Sequence, residues 1–208
     1  MESPSNHRPI PLQEATLLKV EGLSKRFGRR WIFRNLSFDL GLGDCLVVTG
    51  QNGSGKSTLL KTIASLTSSS EGKVILPPGD PRVTIGYSSL ESSLYPELSC
   101  REHLQLTGDL RGIPSRSNEL LEKVGLANAA SVHAKELSTG MKARLRLAVA
   151  IQSNPLLLLL DEPGASLDSN GRALISDIVA EQQKRGSLLI ATNDPSEFFY
   201  ATHALELN

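Results

Sequence analysis

The chain has 208 residues, with 22 Lys and Arg against 22 Asp and Glu and a formal net charge of zero; hydrophobic residues make up 39% and charged residues 21%. That balance fits one globular domain, or one with a subdomain, and speaks against a disordered chain and against a strongly basic nucleic-acid binder, so we expect no nucleic-acid partner. Cys45, Cys100 and the dispersed histidines form neither a disulfide framework nor a metal-ligand spacing, and the two thiols read as ordinary ones in a reducing compartment.

The first 16 residues carry Glu2, Pro4, Pro9 and Pro11 and no apolar signal core, and read as a disordered tail. Residues 17–20 suggest a short strand, and Leu36, Phe38 and Leu40 alternate with polar residues as a half-buried strand does. After the turn at 41–44 comes a buried strand over 45–49 (CLVVT), fed by this antiparallel N-terminal piece. A helix is expected over 57–66, then strands at 73–76 and 83–87 separated by the turn PPGDP. From 99 to about 153 the pattern turns helical: Leu120, Leu121, Val124 and Leu126 line one helix started by Ser117-Asn118-Glu119, and Met141, Leu145, Ala148 and Val149 share a face of another. A leucine strand at 156–160, a helix at 170–184 and strands at 188–191 and 204–207 complete the chain. The alternation implies an α/β fold: a mostly parallel sheet with helices on both faces, an antiparallel N-terminal β piece, and a helical subdomain inserted at about 91–153. The longest apolar run, 156–160, is far short of the ~20 residues that span a bilayer, so a membrane role would have to come through a partner chain.

Gly50-Gln51-Asn52-Gly53-Ser54-Gly55-Lys56-Ser57 fits the phosphate-loop pattern and lies between a buried strand and a helix, which is the context the pattern requires. Its glycines let backbone N–H groups turn toward phosphate oxygens, and the helix N-terminus after it adds positive potential. Lys56 is expected to reach the β- and γ-phosphates of ATP and Ser57 to ligate Mg2+. Asp161 emerges at the carboxyl end of the leucine strand, where parallel sheets bind ligands, and is placed to hold Mg2+ through water; Glu162 follows as a candidate base for an attacking water. An acidic strand end that merely caps the next helix is the plainer alternative.

Leu137-Ser138-Thr139-Gly140-Met141, opening a helix upstream of Asp161, resembles the signature of ATP-binding cassette (ABC) ATPases, and Ala165-Ser166-Leu167-Asp168 resembles their D-loop. The resemblance runs from about residue 17 to the C-terminus, marking 17–208 as a P-loop nucleotide-binding domain. It implies an ATP-hydrolysing transporter subunit at the cytoplasmic face of the cell membrane. Such a subunit pairs head to tail with a second copy and works through a membrane-spanning permease docked near 88–108. In that pairing Ser138, Thr139, Gly140 and Met141 contact the partner's ATP, and Asp168 links the two sites. Thr58 follows Ser57 in the nucleotide-binding segment. Phe27 matches the aromatic that stacks on adenine, with a core phenylalanine as the alternative. Lys25, Arg26, Arg29, Arg30 and Arg34 read as a solvated basic face or as a minor electrostatic aid to ATP. A short chain ending at Asn208 resembles heme-exporter or multidrug and lipid-exporter subunits.

Two positions depart from the family pattern. Alignment puts Leu90 where the Q-loop glutamine belongs, with Glu91 adjacent as a partial substitute and Gln105 too far along. Asn193 stands where the switch histidine belongs, and His203 is too distant to replace it. Asparagine donates a hydrogen bond but carries no charge, so slowed hydrolysis is expected. A regulatory ATP-binding module with little turnover is the alternative function.

Overall fold

The structure, a computed structural model, describes residues 16–208. The tail expected over 1–16 therefore lies, except for Thr16, outside the described residues. Strands β1 (Leu18–Phe27) and β2 (Arg30–Leu40) form a hairpin in which Phe27 pairs with Arg30, so Gly28 and Arg29 make a two-residue loop, with Gly28 at φ 57. β4 (Glu71–Ile75) adds antiparallel to the other edge of β1, giving the order β2-β1-β4. The expected antiparallel piece is present, but it is longer than the sequence suggested.

β3 (Cys45–Gly50), β5 (Ile85–Ser89), β6 (Leu157–Asp161), β7 (Ser187–Ala191) and β8 (His203–Leu207) form a second sheet. It is parallel throughout, in the order β5-β6-β7-β3-β8. The leucine run shows why such a strand needs no alternation. Leu158 and Leu160 pack into a core with Leu145 and Leu147 of α5 (Thr139–Ile151) and Ile175, Ile178 and Val179 of α6 (Ser169–Gln183). Leu157 and Leu159 point the other way, onto Leu59, Leu60 and Ile63 of α1 (Lys56–Ile63) and onto Leu18, Val20 and Leu23 of the antiparallel sheet. Each strand residue is apolar because both faces are covered.

Two local expectations are corrected. Residues 83–84 do not begin a strand: Pro81–Thr84 forms the one-turn helix α2, whose N-cap Asp80 accepts a hydrogen bond from the Arg82 N–H, with Pro81 at the first helical position. The helix expected to start at Ser117-Asn118-Glu119 does so, as α4 (Ser117–Lys123), with Arg116 at the N-cap. Val124 and Leu126 lie past its end, although both are buried. With α3 (Cys100–Arg111), which starts in a capping box between Ser99 and Glu102, the helices α3 to α5 fill the stretch expected to be helical. Cys45 and Cys100 are buried, and burial pushes the Cys45 thiol up to about 12, as for inert core thiols. Among the described residues no helix is long and apolar enough to cross a membrane.

Candidate functional site

The loop between β3 and α1 is shaped by its glycines. Gly50 has φ 143, and a Cβ there would lie 2.2 Å from the Leu207 carbonyl oxygen; Gly55 has φ 103, and its Cβ would meet Ile32 Cγ2 at 2.4 Å. α1 has Gly55 at its N-cap, with no side-chain cap and no acidic residue in its first turn. Its first N–H groups and the positive end of its dipole are therefore unopposed. They border a cavity of about 290 Å3 lined by Asn52, Gly53, Lys56, Ser57, Thr58 and Glu162, among others. Gln51 and Ser54 belong to the same loop, the Ser54 N–H donating to the Gln51 carbonyl oxygen at 3.0 Å. Lys56 is buried, and its Nζ donates to the carbonyl oxygens of Gly50 at 2.7 Å and Gln51 at 3.3 Å.

The end of β6 comes to this loop. Ser57 Oγ donates to Asp161 Oδ1 at 3.0 Å. Burial pushes the Asp161 carboxyl above the usual range, opposed by the Ser57 hydrogen bond. Glu162 sits at φ 49, in the left-handed region, while its N–H donates to the Ala191 carbonyl oxygen at 2.8 Å. Burial also raises its carboxyl, with the Lys56 charge pulling the other way. Hard oxygens at Ser57 and Asp161 beside an anion-accepting loop are a donor set that fits Mg2+ completed by phosphate oxygens and water.

Asn193 follows β7, and its Nδ2 donates to Asn52 Oδ1 at 3.0 Å, joining the end of the sheet to the phosphate loop. Leu90 is 40% exposed, Glu91 pairs with Lys61 at 2.6 Å, and Gln105 and His203 lie on α3 and β8. Ser138 is the N-cap of α5, its hydroxyl accepting from the Met141 N–H at 3.2 Å. Ser138 and Thr139 are exposed and Gly140 and Met141 half-buried, again with no acidic residue in the first turn. Asp168 caps α6 by accepting from the Gly171 N–H at 2.8 Å and pairs with Arg144 of α5 at 2.9 Å. Among the described residues, neither 138–141, nor Asp168, nor Phe27 lines the cavity around Lys56. Phe27 is 56% exposed, which removes the core alternative, and Lys25 Nζ lies 4.7 Å from its ring centroid. Lys25 itself is buried, bonded to the Ser68 carbonyl oxygen, so it is no part of a solvated face.

Residues 33–165 match the family model described as ABC transporter. The chain belongs to the ABC transporter family. It is 36% identical over 200 residues to the cytochrome c biogenesis ATP-binding export protein CcmA of Rhizobium meliloti, covering 91% of this chain and 97% of that one. It is 35% identical to the Nod factor export ATP-binding protein I of Rhizobium leguminosarum and 34% identical to the uncharacterized ABC transporter ATP-binding protein YxlF of Bacillus subtilis. Of those two it spans only 64% and 62% of the length. A solved ATP-binding subunit of an ABC transporter superimposes with a TM-score of 0.85 at 26% identity, over 93% of this chain and 86% of that one. The fold is also that of a dimeric ATP-binding cassette in a post-hydrolysis state bound to ADP and Pi, with a TM-score of 0.81 at 24% identity over 92% and 94% of the two chains. The fold and family expected from the motifs are therefore the ones found.

Sequence reasoning missed several polar contacts around these motifs. Arg144 and Arg146 of one helix reach different segments, Arg144 to Asp168 at the N-cap of α6 and Arg146 Nε to the Ser92 carbonyl oxygen, to which it donates at 2.7 Å. The Asn52–Asn193 contact and the buried Glu197 were likewise not foreseen. Only the Asp194-Pro195 pair signals a turn near Glu197, through the Asp194 side chain that accepts from the Ser196 N–H.

Proposed function

We propose that residues 17–208 form a nucleotide-binding domain that binds and hydrolyses ATP for a membrane permease carried on another chain. The observation that carries this reading is the Ser57–Asp161 contact of 3.0 Å, which joins the phosphate loop to the end of β6 at the cavity that Glu162 lines. Backbone N–H groups of 50–55 and the N-terminus of α1 would hold the β- and γ-phosphates, with Lys56 exchanging its loop carbonyls for phosphate oxygens. Ser57 and Asp161 would hold Mg2+, which when bound neutralises phosphate charge. Glu162 would orient and deprotonate the attacking water, and its raised carboxyl suits it to a base. Phe27 offers its exposed ring to adenine.

A second copy would complete the site. Ser138, Thr139, Gly140 and Met141 expose a helix N-terminus that lies outside their own chain's cavity, an arrangement suited to the γ-phosphate of ATP held by a partner. Arg144 ties Asp168 to the same helix, so both contact elements would move together. A groove of about 540 Å3, lined by Leu66, Leu110, Tyr87, Thr107 and Arg82 among others, supports docking of the permease at the inner face of the membrane. Leu66 and Leu110 are each 63% exposed there. CcmA and the Nod factor export protein carry export in their names, which favours an exporter.

Leu90 and Asn193 favour the second reading, a regulatory module that binds ATP with little turnover, because neither supplies the charge or metal contact of the usual residue. Steady-state phosphate release decides between them. Turnover that disappears in Glu162→Gln supports the ATPase. No turnover in a wild-type chain that binds ATP supports the module.

A further inference from the structure

Glu197 is a carboxylate that the reaction outlined above does not use. It is 5% exposed, and its Oε2 is buried without a hydrogen-bond partner among the described residues. Its Oε1 lies against Gly164, where a Cβ would come within 2.4 Å of it. Gly164 is two residues past Glu162 and is buried as well.

Both sides of this contact are fixed. Glu197 lies in the short 3-10 helix Pro195–Tyr200 just past Asn193. Its N–H donates to the Asp194 carbonyl oxygen at 3.0 Å, and the Asp194 side chain pairs with Arg172 of α6 at 3.0 Å. Opposite, the Glu162 N–H bonds the end of β7 at the Ala191 carbonyl oxygen, and the Gly164 carbonyl oxygen accepts from the Leu167 N–H at 3.1 Å. Between these ties Glu162 holds φ 49, a conformation that a residue with a Cβ keeps only where its surroundings impose it.

We propose that Glu197 is a positioning residue for Glu162: its buried carboxyl is the seat on which the turn Glu162-Pro163-Gly164 rests, and it keeps Glu162 directed at the phosphate cavity. The proposal rests on the reading of Glu162 as the base. Gly164 lacks a side chain because the carboxyl of Glu197 fills that space. Burial pushes the Glu197 carboxyl up, against the pull of Thr192 and the Gly164 N–H, so a neutral amide of the same shape serves as well.

The test is a double-mutant cycle on the full chain. Glu197→Ala lowers kcat about tenfold with KM for ATP changed by less than about twofold, and Gly164→Ala does the same. Glu197→Gln keeps at least about half of the wild-type kcat. The combined Glu197→Ala and Gly164→Ala variant stays near the tenfold loss, because both changes act at one contact, whereas independent sites would give about a hundredfold. The second readout is hydrogen exchange at the Glu162 amide, which needs no turnover: it speeds up in either alanine variant and stays near wild type in Glu197→Gln. Wild-type kcat in Glu197→Ala, or a hundredfold loss in the double variant, overturns the proposal. If the wild type turns over no ATP, the reading of Glu162 as base fails, and unchanged Glu162 exchange in Glu197→Ala overturns the positioning role separately. If Glu197→Ala does not fold, Gly164→Ala decides: wild-type kcat and exchange there sink the proposal.

Discussion

Replacing Asn193 with histidine is expected to raise ATP turnover about 10²-fold, at the lower end of what one charged contact to a transferring phosphate supplies. The asparagine is exposed and donates to Asn52 at 3.0 Å, so position 193 already reaches the phosphate loop with a neutral donor. Imidazole keeps a donor there and adds charge when protonated. The neighbouring Asp194 carboxyl is held below the usual range by hydrogen bonds from the Ser196 side chain and N–H, so it stays ionised at neutral pH and favours the protonated ring. A charge-assisted contact of this kind is worth ~3–4 kcal/mol, or ~10²–10³ in rate. Exposure of the site screens part of it, which sets the lower figure. The assay is steady-state phosphate release, with the Glu162→Gln chain as the zero and ATP affinity measured in parallel. Unchanged turnover in an Asn193→His chain that binds ATP normally would refute the reasoning, because position 193 would then not meet the transferring phosphate.

Asp161→Asn removes the carboxylate beside Ser57, and ATP affinity measured with and without Mg2+ is expected to lose its metal dependence; a dependence equal to the wild type would count against Asp161 as a ligand. Leu159→Ala deletes a side chain with no exposure, buried against α1 and the antiparallel sheet, and is expected to cost ~2–5 kcal/mol, seen as a fall in Tm of roughly 5–15 °C. Glu197→Gln separates from wild type with pH. Burial raises the folded-state pKa of Glu197 above its unfolded value, so the folded chain holds the proton more tightly. Its contribution to stability is present below the unfolded value and is lost as pH rises through the raised one. Thermal melts from about pH 4 to about pH 8 should therefore show Glu197→Gln gaining on wild type as pH rises, and a constant gap would contradict this.

The sheet was legible where the residues were apolar on both faces. β3, β6 and β7 are the runs CLVVT, LLLL and SLLIA, and among the described residues no other strand gives so unbroken a signal. β1 and β2 were read short because their outer ends, Lys25-Arg26-Phe27 and Arg30-Trp31, are polar and aromatic. There the Arg26 and Arg34 guanidinium groups lie over Trp31, and Lys25 is buried although a lysine carries no apolar signal. α2 hid inside an expected strand because one turn leaves no periodicity, although Asp80-Pro81 carried the cap and first-turn signal. At the candidate site the chain-local features, the glycine loop and the Asp161-Glu162 pair, were readable from spacing. Contacts between distant segments were not: Asn52 with Asn193, Arg144 with Asp168, and Glu197 with Gly164 each join residues from separate elements. A glutamate such as Glu197 is indistinguishable in sequence from a solvated one until the fold buries it.

Calorimetric titration of ATP into the Lys56→Ala chain tests the central claim most directly. Lys56 is buried in the loop, bonded to the Gly50 carbonyl oxygen at 2.7 Å, and is expected to turn to the triphosphate when ATP binds. Loss of that charged contact is expected to weaken ATP binding at least about tenfold, or about 1.4 kcal/mol, in a chain that still folds. ATP binding as tight as in the wild type would contradict the claim that residues 50–57 hold the phosphates.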